Sequence, residues 1–454
     1  MENIDTLVIL GATGDLTSRL LLPGLGWLLT EQPDRRVSLI GTDLAPQDAE
    51  QWSRTVAEAF ESVEAKGPAV DHLLAHTKYL ATDASSPADL KALLEAVEGT
   101  PALYFALPPA VSTKAIDVLQ HIELPENTVL VLEKPFGVDE HSAAELNRGL
   151  TSLVPENQIF RVDHFLGMST VLNILGLRFT NRLFEPLWNR EHIAKVEIVY
   201  DEVLGLENRA GYYDHAGALV DMIQSHLLQI MALVTMEAPL SVHAEDLRTA
   251  KTTALHAVRP FPGDPAHVNR RARYTAGRIG ERDLPSYVEE DGVDPARETE
   301  TLAEVTLESV TWRWSGVPFI LRSGKALGEP RREIAITFRE VPHVPVGLTG
   351  ESRPTVLRIF LGPDGMAVDM NVTGPGDPFS IERTRLSADL GAGRLNPYGE
   401  VLHGVLNGDP TLSIRAEAAE QAWRIIDAIR AQWRSGEIPI EEYPAGSAGP
   451  AGWA

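Results

Sequence analysis

The spacing of apolar and polar positions changes character along the chain. From Thr6 to Leu10 five β-branched or aliphatic residues run uninterrupted, break into Gly11-Ala-Thr-Gly14-Asp-Leu16, and give way to leucines at helical spacing over 18–29. A short apolar run ending in a glycine turn predicts a buried strand, and the 3.6-residue period after it predicts a helix. The alternation continues through a strand at 37–41, a polar helical stretch, and strands at 103–107 and 129–133. Strands alternating with helices mark a parallel sheet covered on both faces, so the first ~165 residues predict a nucleotide-binding α/β domain. Past Thr180 the segments lengthen and become β-rich at 195–203, 302–314 and 333–338, with one conspicuous helix over 216–236. That change predicts an α+β second domain, and we place the division at 1–170 and 171–454. The Ala/Gly/Pro-rich segment 444–454 reads as a loop or fraying terminus.

Composition narrows the function. A chain of 454 residues is long enough for two or three domains at ~150 residues each. Its 40 Lys+Arg against 64 Asp+Glu give a formal charge of −24, which repels phosphate backbones and anionic lipid, so neither a nucleic acid nor a membrane surface is expected as a partner. The absence of cysteine excludes disulfides, thiolate metal sites, iron–sulfur clusters and cysteine nucleophiles. Acids stand near Met1 where a signal peptide needs cations, and a cytoplasmic location is the expectation.

Two segments carry candidate chemistry. Gly11 and Gly14, between strand and helix, let the backbone approach a pyrophosphate held by free N–H groups at the helix start, although a plain structural turn uses the same residues. Asp43, just past the second strand, would accept hydrogen bonds from an adenosine ribose diol and repel a 2′-phosphate, which favours NAD over NADP; it equally suits the opening of a surface turn. The stretch 217–236 is apolar on nearly every side, so its Asp221, Gln224, Ser225, His226 and Gln229 must be hydrogen-bonded or line a cleft. A neutral histidine there can take the proton of a sugar hydroxyl while hydride leaves the same carbon, whereas a satisfied core histidine is the ordinary alternative. Asp163-His164 offers a second acid–imidazole pair. No His/carboxylate set has metal-ligand spacing, so no metal is expected, and no GxSxG elbow is present.

These residues sit in blocks that together resemble the glucose-6-phosphate dehydrogenase family over nearly the whole chain: GATGDL (11–16), ALPP (106–109), EKPFG (133–137), RVDHFLG (161–167), NILGLRFTNRLFEPLWNR (173–190), ENRAGYYDHAGALVDMIQSHLLQ (207–229), TET (299–301), RWSGVPFILRSGK (313–325) and PAGSAGP (444–450). The resemblance implies a Rossmann domain followed by a large α+β domain with a mostly antiparallel sheet, a homodimer or homotetramer, and oxidation of carbon 1 of a pyranose with hydride passing to a nicotinamide. It places His226 on the general base, Asp163 on the carboxylate that orients it, and Lys134 between cofactor and sugar. Glu202 and Asp221 fall on acids that bond sugar hydroxyls, and Lys325 on a lysine that contacts the substrate. Gly11, Thr13, Gly14, Asp15 and Leu16 form the cofactor turn, with Asp43 beyond it.

The departures gather at the phosphate end. Where members usually read RIDHYLGKE, this chain has RVDHFLGMS, so a phenol becomes Phe165 and a cation becomes Met168. Pro330 stands where the family often has a basic residue, Gly362 replaces a glutamine and Leu20 a lysine, while Arg331, Arg332, His164 and Arg19 remain as substitutes. The GxAR pattern that clamps a 2′-phosphate is here Gly41-Thr-Asp-Leu44, though Thr13 leaves use of NADP open. A sugar phosphate asks for charge-assisted donors, and losing two costs roughly 3–6 kcal/mol. The expectation is therefore an NAD-preferring dehydrogenase of unphosphorylated aldoses. Its rival is a glucose-6-phosphate dehydrogenase with a rearranged phosphate site, and a non-catalytic paralogue is a third reading.

Overall fold

A computed structural model describes residues 4–207, 209–374, 376–391 and 393–453. The chain divides into two compact units. The first is built from Met1–Met168, Pro239–Thr252 and Gly393–Trp423; the second from Ser169–Ala238, Thr253–Ala392 and Arg424–Ala454. The first unit thus takes in two stretches that the sequence pattern assigned to the second domain.

The first unit contains six parallel strands, β1 (Thr6–Leu10), β2 (Ser38–Asp43), β3 (Lys78–Ala81), β4 (Pro101–Phe105), β5 (Val129–Glu133) and β6 (Ile159–Val162), in the order β3-β2-β1-β4-β5-β6. Every residue of β1 and β4 is buried, which is why neither strand alternates apolar with polar positions. Helices cover the sheet, and several start on a side-chain cap: Asp48 accepts the Gln51 N–H at 2.7 Å and Asp139 the Ser142 N–H at 2.8 Å. Leu402, Val405 and Leu406 from the late segment complete the core around Leu22, Leu25 and Leu28. The strand order reverses at β1 and β4, and such a switch point opens a crevice at the carboxyl ends of the strands. β2 extends to Asp43, so that residue ends the strand rather than following it. The helix after the glycine turn opens as a π-helical turn, Thr17–Leu21, before Leu22–Glu31.

The second unit holds a ten-stranded, mostly antiparallel sheet. Across it lie Ile381–Asp389, Asp364–Thr373, Val356–Leu361, Arg332–Phe338, Ile193–Asp201, Phe319–Gly324, Leu302–Ser309, Asn269–Thr275 and Ile440–Pro444, with Val258–Pro260 also paired to Leu302–Ser309. Two pairs are parallel: 319–324 on 193–201, and 440–444 on 269–275. One sequence expectation is corrected here, and for the last segment the loop reading holds over the fraying one. The strand begun at Leu302 stops at Ser309, and Trp314 lies in a later turn, wholly buried. The last segment is tied down rather than frayed: Ala445 N–H donates to Thr275 at 3.0 Å, Gly446 N–H to Ala326 at 2.8 Å, and Gly328 N–H to Ser447 at 2.9 Å.

The apolar helix is also revised. It runs as Ala210–Ala218, a π-helical Leu219–Leu227 and Leu228–Thr235, with a break at Gly217, whose φ of 64° and ψ of 178° are not helical. The 26 residues from Ala210 are long enough, and their most apolar 18-residue window apolar enough, to cross a membrane, yet 94% of that window is buried inside the protein. Here they form a core helix.

Candidate functional site

In the first unit the chain leaves β1 at Gly11 with φ of +93°. A Cβ at this position would lie 2.2 Å from the Ala106 carbonyl oxygen, so only glycine lets the turn pass so close to the end of β4. Gly11 and Ala12 donate to the Thr42 carbonyl, at 2.9 and 3.0 Å, and Thr17 Oγ1 donates to the Gly11 carbonyl at 2.9 Å. Thr13 and Asp43 are brought together: the Thr13 hydroxyl donates to Asp43 Oδ2 at 2.6 Å, and Leu44 N–H donates to Oδ1 at 2.7 Å. The carboxylate caps a turn, one of the two roles expected for it, and it also lines a cavity. That cavity, about 350 Å³, opens at the ends of β1, β2 and β4 and is lined by Gly11, Thr42, Asp43, Ser85, Pro108 and Lys114 among others. Its glycine cradle, acidic lip and position at the switch point fit the adenosine half of a dinucleotide. Asp15 and Leu16 continue the turn toward the helix.

A second group lies at the ends of β5 and β6. Glu133, the last residue of β5, accepts the Tyr104 hydroxyl at 2.5 Å, and burial pushes its carboxyl up to about 7. Lys134 follows it, before a cis bond to Pro135. Asp163 is buried and caps the 3₁₀ turn His164–Gly167, accepting the Phe165 N–H at 3.0 Å. The His164 ring stacks on Tyr398, 5.3 Å between centroids and 16° between planes. Phe165 is buried, and Met168 ends the turn partly buried. Lys251 is buried as well; desolvation lowers its ammonium to about 7, opposed by the nearby Asp163 charge.

In the second unit both ends of the long helix are fixed by specific partners. A helix leaves its last four carbonyls without intrahelical donors. Here Arg178 donates to Leu233 (2.8 Å) and Met236 (2.9 Å), Trp188 Nε1 to Val234 (2.8 Å), and Trp314 Nε1 to Thr235 (2.9 Å). Near Gly217, Glu300 accepts the Leu219 N–H at 2.9 Å through its carboxylate and the Ala218 N–H at 3.2 Å through its backbone carbonyl. His226 and Asp221 sit between these anchors, both buried, and Tyr212 donates to Asp221 at 3.4 Å. The TET block thereby acquires its reason: Thr299 bonds the Asp214 carbonyl (2.6 Å), Glu300 holds the helix, and Thr301 meets the Tyr443 hydroxyl (2.9 Å).

Glu202 and Lys325 are brought into an ion pair at 2.7 Å, with the Lys325 ammonium 5.1 Å from the Tyr213 ring centre. Both backbones are held in register: Glu202 N–H donates to Gly324 and Lys325 N–H to Thr301, each at 2.8 Å. Of the two arginines that follow, Arg331 is engaged by Glu197 (3.3 Å) and Glu333 (2.8 Å). Arg332 lies over Tyr200, 4.8 Å from the ring centre, and its Nε has no hydrogen-bond partner among the described residues. The structure thus groups Gly11, Thr13, Gly14 and Asp43 in one place, Lys134, Asp163, His164, Phe165 and Met168 in the first unit, and Glu202, Asp221, His226 and Lys325 in the second.

Sequence reasoning missed Glu300, Tyr213, Tyr398, Lys251 and Lys114. For Glu300 a signal existed, since it is a lone acid between two threonines ahead of an apolar strand. Tyr398 and Lys251 come from segments remote in sequence and carry no local signal.

The family model for the NAD-binding domain of glucose-6-phosphate dehydrogenase matches residues 8–173, and that for the C-terminal domain matches 175–454. The glucose-6-phosphate 1-dehydrogenase of Gluconobacter oxydans is 38% identical over 461 residues, spanning 98% of this chain and 94% of its own. The enzyme of the same name from Mycolicibacterium smegmatis is 34% identical over 467 residues, with coverage of 98% and 94%. Among solved structures, a glucose-6-phosphate dehydrogenase in complex with its substrate glucose-6-phosphate superposes with a TM-score of 0.88 at 28% identity, covering 100% of this chain and 97% of that one. The Mycobacterium avium glucose-6-phosphate 1-dehydrogenase gives 0.86 at 30%, covering 99% and 96%. With both domain models matched in order and relatives aligned almost end to end, this chain belongs to the glucose-6-phosphate dehydrogenase family of oxidoreductases.

Proposed function

We propose that this protein oxidises carbon 1 of glucose 6-phosphate to the lactone, using NAD or NADP. Bound at the glycine turn, the dinucleotide supplies the hydride acceptor. His226 takes the proton of the carbon-1 hydroxyl as the carbon's hydrogen leaves as hydride, and a neutral imidazole suits that step near pH 7. Asp221 and Glu202 accept hydrogen bonds from ring hydroxyls, and Lys325, already oriented by Glu202, donates to the sugar. The observation that carries the phosphorylated substrate is Arg332: a guanidinium stacked on Tyr200, two residues before Glu202, with Nε lacking a partner among the described residues. A fork of N–H donors of this kind can supply the charge-assisted bonds that a phosphate asks for and that Phe165 and Met168 do not offer. The nearly full-length relatives that bear the glucose-6-phosphate 1-dehydrogenase name support the same substrate. Asp43 favours NAD, because its carboxylate opposes a 2′-phosphate.

The sequence expectation of an unphosphorylated aldose stands as the second reading, favoured by Phe165 and Met168, which offer neither a phenol nor a cation. Initial rates with glucose and glucose 6-phosphate, each crossed with NAD and NADP, separate the two. Faster turnover of glucose 6-phosphate, lost as a rise in KM in Arg332→Gln, supports the proposal. Faster turnover of glucose, with Met168→Lys creating activity on the phosphate ester, supports the second reading instead.

A further inference from the structure

The second unit contains a cavity of about 280 Å³ lined by none of the residues assigned to the sugar, with Arg271, Arg297, Arg430 and Arg434 on its walls beside Glu298 and Glu300. Four guanidinium groups around one opening run against the composition of a chain carrying −24. Three of them have acidic partners: Arg271 meets Glu298, Arg297 meets Asp214 and Asp294, and Arg430 meets Asp427. Glu300 is buried and faces the Leu219 N–H, and burial holds its carboxyl up to about 7, so it is only partly charged near neutrality. Glu298 is mostly exposed and meets Arg271 only at 3.5 Å. The arginines themselves are oriented rather than loose. Arg271 donates to the Ile438 carbonyl at 3.1 Å and lies 5.7 Å from the Trp433 ring centre, and Arg297 donates to Asp214 at 2.6 Å. Arg430 contacts Asp427 at 3.4 Å, and Arg434 ends the helix Ala416–Arg434.

We propose that this cavity is a binding site for a compact polyanion of the diphosphate class. Planar guanidinium forks bind phosphoryl oxygens in pairs, and several around one cavity favour a ligand with two linked phosphoryl groups over a single one. A volume of about 280 Å³ admits such a group and is small for a whole dinucleotide.

The test is calorimetric titration of inorganic pyrophosphate, and separately orthophosphate, into the full chain, with Arg430→Gln and Arg434→Glu as variants. The expected result is one pyrophosphate per chain that is lost or weakened at least tenfold in each variant, with orthophosphate binding at least tenfold more weakly than pyrophosphate. Dehydrogenase rates measured without pyrophosphate should be unchanged in both variants, which shows that they are folded. Arg434 lies at an exposed helix end, so Arg434→Glu keeps the test valid if Arg430→Gln fails to fold. Absence of binding to the wild-type chain, or binding by Arg434→Glu equal to wild type, overturns the proposal.

Discussion

Replacing Glu300 by glutamine tests whether a buried carboxylate anchors the helix that carries His226, at a cost that depends on pH. The side-chain oxygen accepts the Leu219 N–H at 2.9 Å, a bond that the amide oxygen of glutamine can keep. What the variant removes is the charge. Burial raises the carboxyl from 4.5 to about 7, so between those values the folded state binds more protons than the unfolded one. For an acid raised on folding, stability is greatest below the unfolded pKa, falls as pH rises, and levels off above the folded pKa. With these two values the cost of ionisation grows from about 1 kcal/mol at pH 5 to about 3 kcal/mol at pH 8. Glu300→Gln should therefore gain on wild type by about 2 kcal/mol over that interval, or roughly 4–8 °C in Tm for a unit of this size. Scanning calorimetry of both proteins at pH 5, 6, 7 and 8 reads this directly. A Tm difference that stays constant with pH, or narrows as pH rises, would refute the reasoning.

His226→Asn should lower kcat by ~10²–10⁴ while leaving the cofactor Kd within a factor of two or so, and a kcat near wild type would remove His226 as the base. Lys325→Met breaks the 2.7 Å pair with Glu202 and should cut kcat/KM by roughly 10–100-fold, measured in steady state; an unchanged value would mean that the lysine serves only the fold. Gly11→Ala forces a Cβ against the Ala106 carbonyl at a left-handed φ and should lower unfolding free energy by about 2–4 kcal/mol, with loss of cofactor binding. An unchanged denaturant midpoint would contradict the close approach described for that turn.

Much of the site was legible because its chemistry is local. Gly11, Thr13 and Gly14 announce their turn by following an apolar strand, and the polar residues of 217–229 stand out because a buried helix cannot leave them unpaired. Asp43 was placed one step wrong, beyond the strand instead of at its end, because strand boundaries follow pairing with a neighbour: Asp43 is opposite Ala81 in the ladder. The helix was read as regular from 216, but its break at Gly217 and its π-helical turn answer to Glu300, some eighty residues on. Nor does sequence say that Arg178, Trp188 and Trp314 close the carbonyl end.

By itself, then, the sequence determined the α/β-then-α+β order, the glycine turn after the first strand and the family, since these rest on periodicity, glycine conformations and contiguous motifs that neighbouring residues enforce. Only the tertiary structure decided that residues 239–252 and 393–423 belong to the first unit, that Glu202 pairs with Lys325, that four arginines share a cavity, and that the last segment is clasped to the sheet. Each of these joins residues far apart along the chain, and such contacts are chosen by packing and by the pairing of buried polar groups, which no local pattern records.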